Sequence, residues 1–243
     1  MKRPERAVHG QSIGILILDT RFPRPRGDIG NAETWDFPVL YKKVRGATTA
    51  RVVLSPDEGL LDPFLDAARE LVEEGVEAIT TSCGFLAMFQ EELAKSVPVP
   101  VFTSSLMMAP MISRMLGPGK KVGIMTAHKG SLSGRHFSGA GMEGVPFVVA
   151  GMDGEEIFHK SILRGETDLW DYDEMIQAHR RVAGKFVSDN PDVGAILREC
   201  TNMPPFAWVV REETGLPVFD IVNLVNLVHA SLSKRMFPNR EYL

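Results

Sequence analysis

Two residues stand out for the chemistry they could do: Cys83 and Cys200, the only cysteines in a chain of 243 residues. Each sits in a short polar segment, TSCG at 81–84 and ECTN at 199–202, directly after an apolar run. One reading of either cysteine alone is a small buried hydrophobe. The other follows from position, since a thiol between a buried strand and a helix start feels the partial positive charge of that helix end. Such an end contributes ~0.3–1 kcal/mol, up to ~2 in buried geometry, enough to lower a thiol pKa of ~8.5 by at most ~1.5 units. The expected result is a mixture of thiol and thiolate near neutrality. Two such groups on opposite sides of one cleft could remove a proton from one face of a carbon and deliver one to the other.

The elements that must position these thiols come in two copies. Sliding the sequence against itself by 117 residues superposes Cys83 on Cys200, Val76 on Val193, Ala78 on Ala195 and Ile79 on Ile196. Further on, Phe89 falls on Phe206, and Pro100, Val101 and Phe102 fall on Pro217, Val218 and Phe219. That makes eight identities over the 27 positions 76–102, a spacing that signals duplicated domains rather than a short-period solenoid. Each copy reads as helix, buried strand, cysteine, helix, strand. In the first, Asp62 is expected to cap a helix that begins at Pro63 and ends at Gly75. VEAITT is its strand, FLAMFQEELAKS its helix and VPVF its next strand. In the second, a helix runs from about Asp173 to Ser188, VGAIL is the strand, and LPVF follows. Asp220 is expected to cap a last helix, IVNLVNLVHASLSK, whose apolar character all round predicts burial.

The opening strands match with an offset of 109, SIGIL at 12–16 against KVGIM at 121–125. Near-continuous apolar strands alternating with helices predict parallel sheets covered on both faces. The fold class is therefore α/β, with two pseudo-symmetric domains, each a parallel sheet flanked by helices, and the active-site cleft between them. The boundaries follow as residues 1–104 plus 217–243 for the Cys83 domain and 105–216 for the Cys200 domain.

The residues around the thiols also carry a resemblance. TSCG, ECTN and a first strand that ends in LDT at 18–20 are similar to the aspartate/glutamate/hydantoin racemase superfamily, and the likeness extends over almost the whole chain. It implies cofactor-independent, pyridoxal-free racemisation of an amino acid or related small carboxylate, with Cys83 and Cys200 as acid and base. It also implies that Ser82, Gly84, Thr201 and Asn202 bind the substrate carboxylate, and that Asp19 and Thr20 match an acidic–hydroxyl pair that assists one cysteine. Hydantoin racemisation and maleate-type cis–trans isomerisation by one nucleophilic cysteine belong to the same superfamily. Arylmalonate decarboxylases resemble a one-cysteine version, which the presence of both thiols disfavours. A two-lobed small-molecule sensor is the alternative outside enzymes.

Two positions depart from the pattern. Gly84 stands where amino-acid racemases commonly place Asn, and Glu199 where Gly is usual. The Glu199 carboxylate could raise the Cys200 pKa, bind a substrate ammonium, or point away across the strand. Residues 20–39 form a Pro-, Gly- and charge-rich loop over the cleft, with Arg21, Arg24 and Arg26 either reaching a substrate carboxylate or simply solvated. Thr126 and His128 end the opening strand of the second half and are candidates to line the cleft.

The remaining signals exclude more than they suggest. Gly139, Gly141 and Gly144 spell GxGxxG, but the strand PFVVA follows instead of preceding it, so a helix-to-strand turn is expected and not a dinucleotide site. The histidines show no metal-ligand spacing with either cysteine. A net charge of −4 without a basic cluster argues against nucleic acid or an anionic membrane as partner. The apolar run SIGILIL is closed by Asp19 and is too short for a signal peptide or a membrane span. Two cysteines make no disulfide framework, which points to a reducing cytoplasm. A homodimer is possible, and no segment marks its interface.

Overall fold

The computed structural model describes residues 9–54, 58–166, 168 and 170–234. Among the described residues, eight strands form two four-stranded sheets, all pairings parallel. The first sheet holds β1 (Ile13–Leu18), β2 (Val39–Val44), β3 (Ala78–Thr81) and β4 (Val101–Phe102) in the order β2-β1-β3-β4. The second holds β5 (Lys121–Thr126), β6 (Phe147–Gly151), β7 (Val193–Arg198) and β8 (Val218–Phe219) in the order β6-β5-β7-β8. The helices are α1 (Leu61–Glu73), α2 (Gln90–Ser96), α3 (Ala109–Met115), α4 (Gly134–Gly139), α5 (Glu156–Phe158), α6 (Tyr172–Asp189), α7 (Ala207–Thr214) and α8 (Ile221–Leu232).

The internal repeat is reproduced in hydrogen-bond register. Ile79 lies opposite Val101 in the first sheet, and Ile196 opposite Val218 in the second, both shifted by 117. The looser match also holds: Ile13 faces Ala78 where Val122 faces Ala195, so the offset changes from 109 on the opening strand to 117 on the cysteine strand. Strands buried on both faces read as the apolar runs IGILIL and AITT, without alternation.

Several expectations are corrected in detail. The sequence places residues 217–243 with the first domain, but β8 pairs with β7 and completes the second sheet. Its short VF pair repeats β4 in the other half, so the duplication includes this strand. The helix after it does reach across, because His229 on α8 stacks on Phe37 of the first half at 3.5 Å between ring centroids. Residues 235–243 lie outside those described. Helix α8 is not fully buried: Ile221, Leu224 and Val225 pack inward while Leu227 is exposed. Its Asp220 cap is as expected, accepting from the amides of Val222 and Asn223. Helix α1 begins at Leu61, two residues before the expected Pro63, and has no side-chain cap. After Cys83 the chain first makes a 3-10 turn, Gly84–Phe89, before α2.

The GxGxxG segment is a packing device. A Cβ on Gly139 would lie 2.0 Å from the carbonyl oxygen of Ala87, so glycine lets α4 press against the turn after Cys83. Gly141 and Gly144 have φ of +69° and +76°, the left-handed conformation that turns the chain towards β6.

Candidate active site

Both cysteines lie two residues beyond the ends of equivalent strands, Cys83 after β3 and Cys200 after β7. Carboxyl ends of parallel strands are where α/β sheets bind ligands. Here the two sheets turn these ends towards one another, and both thiols line a single cavity. The cavity is narrow, with room for about one water molecule in this nearly closed state. Each half covers it with a short π-helical turn that no sequence pattern announced: 50–54 brings Val53, and 159–163 brings Ile162 and Leu163.

Burial controls the thiols. Desolvation pushes both Cys83 and Cys200 up from the usual thiol range, and the nearby Glu199 carboxylate pushes them further. Backbone amides two residues on, from Phe85 and Asn202, pull the other way without reversing it. The expected thiol–thiolate mixture is therefore overturned: the resting site holds neutral thiols. A short 3-10 turn is a weak source of positive potential, and removal from water outweighs it. The cysteines are not joined as a disulfide.

Of the other predicted site residues, Thr20, Ser82, Gly84, Thr201 and Asn202 all line the cavity. Asp19 does not. Its carboxylate accepts from the Gly46 amide at 3.3 Å and lies 3.5 Å from the Lys43 ammonium, on the outer side of the chain. Neighbours along an extended segment face opposite sides, so Leu18 and Thr20 point in while Asp19 points out. Two of the hydroxyls are engaged in structure. Ser82 Oγ accepts from the Leu18 amide, and Thr201 Oγ1 donates to the Ser82 carbonyl at 2.6 Å, bridging the two cysteine motifs.

The loop after β1 supplies the cation. Of its three arginines, Arg24 lines the cavity, held by an ion pair with Asp28 at 2.7 Å and a hydrogen bond to Thr20 Oγ1 at 2.8 Å. Asp28 is buried and also accepts from Asn202 Nδ2 at 2.8 Å, which ties the loop to the second cysteine motif. Arg26 donates instead to the Glu33 carbonyl, and Arg21 borders a separate open groove. Asp28 carried no sequence signal, since it lies in a loop without regular spacing.

Glu199 faces the site and not the far side of the strand. It is fully buried, and its Oε2 accepts from Thr126 Oγ1 at 2.7 Å. Burial raises its pKa to about 7, with hydrogen bonds from Thr126 and the Ala127 amide opposing. Thr126 thus reaches the site through Glu199, and Ala127 lines the cavity, whereas His128 pairs with Ser131. Among the described residues, no three His, Cys, Asp or Glu side chains come together to hold a metal. Nor is any described helix long and apolar enough to cross a membrane.

Two equivalent parallel sheets with a cysteine at the tip of each central strand define a duplicated α/β enzyme fold. Residues 57–225 match the Asp/Glu/hydantoin racemase family, and the chain belongs to it. The fold agrees with that of a structure described as a putative Asp/Glu racemase from Yersinia pestis, with a TM-score of 0.61, 16% identity, and coverage of 91% of this chain and 99% of that one. Sequence likeness is greater to proteins of another name. A dimethylsulfoniopropionate lyase of Durusdinium sp. clade D is 34% identical over 220 residues, 87% of this chain and 71% of that protein. Dimethylsulfoniopropionate lyase 3 of Emiliania huxleyi is 32% identical over 233 residues, 91% of this chain and 60% of that protein.

Proposed function

We propose that this protein cleaves a small β-sulfonio carboxylate of the dimethylsulfoniopropionate type by removing a proton from the carbon next to its carboxylate. The observation that carries this reading is a buried thiol beside both a cation, Arg24, and a carboxylate, Glu199, on one nearly closed cavity. Likeness to the lyases, at 34% identity over most of the chain, favours elimination over stereoinversion.

The residues fit the steps. Arg24 and Thr20 receive the substrate carboxylate. The resting thiols are neutral, but a sulfonium centre in the same low-dielectric cavity favours a thiolate, so one thiol loses its proton as substrate binds. That thiolate then takes the proton from Cα. The C–H electron pair becomes the Cα=Cβ double bond, and the Cβ–S pair departs on sulfur as neutral dimethyl sulfide. Acrylate remains, the thiol is restored by the proton taken from carbon, and the proton lost at binding is the one released overall. Closure of the cavity keeps water from quenching the carbanion-like transition state.

Racemisation is the second reading, favoured by the pseudo-symmetric placement of both thiols. Elimination needs one base, whereas inversion needs two. Proton NMR of the protein with dimethylsulfoniopropionate should show acrylate and dimethyl sulfide in equal amounts, with activity lost in Cys83→Ser, Cys200→Ser or both. Absence of acrylate overturns the lyase reading. Deuterium entering the stereocentre of aspartate, glutamate or a hydantoin, dependent on both cysteines, would put racemisation in its place.

A further inference from the structure

The buried carboxylate of Glu199 has no partner for one of its oxygens. Oε2 accepts from Thr126 Oγ1 and the Ala127 amide also acts on the carboxylate, while Oε1 is sealed from solvent and makes no hydrogen bond. Among the described residues no Lys, Arg or His forms an ion pair with it, and the cation lining the cavity, Arg24, pairs with Asp28 instead. Space for the carboxylate exists only because residue 84 is glycine. A glutamine could accept the Thr126 hydrogen bond without the cost of burying a charge. A carboxylate is also a poor neighbour for thiols that must ionise, since it raises both. Positive charge brought by a ligand resolves both conflicts.

We infer that Glu199 is the counter-charge for a cationic group of the substrate, and that it makes the pocket selective for onium carboxylates over dicarboxylates and neutral acids. The inference rests on the reading that this cavity binds the substrate. The walls support an onium group in particular. Phe22, Val53, Phe85, Ile162 and Leu163 line the cavity with apolar surface. An ammonium would leave N–H donors unpaired against such walls, whereas a sulfonium or quaternary nitrogen has none to satisfy. A dicarboxylate would set a second anion beside Glu199. Arg24 and Glu199, both on this cavity, supply one charge of each sign, as a zwitterion requires.

The test uses binding alone, so it is separate from turnover. Dimethylsulfonioacetate and 3-methylbutanoate have the same shape and carboxylate and differ in the sulfonium charge, and neither can undergo the elimination. By titration calorimetry at pH 8.5 the wild-type protein should bind the sulfonium compound at least about 30-fold more tightly. Glu199→Gln should reduce that preference to about threefold or less, with its fold checked by circular dichroism. As a second check, the wild-type preference should shrink at pH 5.5, where the carboxyl is protonated; the double variant Cys83→Ser, Cys200→Ser, which has no thiol to ionise, should show the same loss, and Asp28, the other carboxylate acting on Cys200, is paired with Arg24. Equal binding of the two compounds, binding of neither, or a preference that survives both Glu199→Gln and pH 5.5 overturns the inference. A protein that shows the preference but makes no acrylate would refute the lyase reading and leave the counter-charge standing.

Discussion

A Cβ placed on Gly84 would lie 2.2 Å from Oε1 of Glu199 and 2.4 Å from its carbonyl oxygen. These residues hold the two positions where the cysteine motifs depart from the racemase pattern, and in the structure the two positions share one space. Bulk absent at 84 makes room for bulk present at 199. The first prediction follows directly. Gly84→Ala should lose about 1–3 kcal/mol of stability through overpacking and distort the Cys83 turn. Glu199→Gly in the same chain should restore part of it, since the approach to the carbonyl oxygen remains. Denaturant unfolding of the two single variants and the double would measure the coupling, and strict additivity would show that the two residues do not compete for this space.

Glu199 also makes stability depend on pH. Its folded pKa of about 7 lies above the ordinary value of 4.5. A raised carboxyl pKa means that the native state holds the proton more tightly than the unfolded chain. The stabilisation is complete below about pH 4.5 and is lost as pH rises through 7. The shift corresponds to about 3 kcal/mol. Glu199→Gln should therefore be more stable than the wild type at pH 8 by an amount of that order, with the advantage largely gone at pH 4.5. Urea unfolding at the two pH values checks it, and a difference independent of pH would show that the carboxyl does not titrate in this window.

Much of this arrangement was legible because duplication writes itself into the chain twice. The spacing of 117 between Cys83 and Cys200 recurs in the strand register. Apolar runs fixed the strands, and the capping role of Asp220 could be read from one residue and the helix after it. What stayed hidden depended on tertiary contact. The outward turn of Asp19, the inward turn of Glu199 and the choice of Arg24 among three arginines are decided by chain direction at strand ends and in a loop, where periodicity says nothing. The π turns that cover the cavity were also hidden, because each is placed by tertiary packing, on neighbours in its own half and on the other turn. A helix end alone predicts thiolate character at both cysteines, whereas burial, which depends on the folded halves meeting, raises both thiols.

Thr201, read from the sequence as a substrate contact, binds the two motifs together. Its hydroxyl donates to the Ser82 carbonyl in a buried position. Thr201→Val keeps the shape and strands that carbonyl, at a cost of about 1–3 kcal/mol. Thr201→Ser should retain most of the stability because it keeps the hydroxyl. Thermal unfolding of the two variants would distinguish this bridge from a role confined to ligand binding, which would leave the unliganded melting temperature unchanged.

Arg24 is positioned from three directions, and each can be removed separately. Asp28 holds one guanidinium nitrogen and Thr20 accepts from another, while the ring of Phe22 lies 4.6 Å beneath the guanidinium carbon. Lysine would keep the charge but cannot reach Asp28 and Thr20 together with a planar fork. Arg24→Lys should therefore raise KM for the carboxylate substrate by about 10- to 100-fold with a smaller change in kcat, as expected for lost ground-state binding. Arg24→Ala should do more, because it leaves the buried Asp28 carboxylate without its cation, a loss of about 3–5 kcal/mol in comparable buried pairs. Pairing Arg24→Ala with Asp28→Asn removes that stranded charge, so the double variant should recover stability without recovering KM. Steady-state kinetics and unfolding on the three variants separate the two roles: recovery of KM along with stability would mean that Arg24 only supports the loop and does not meet the substrate.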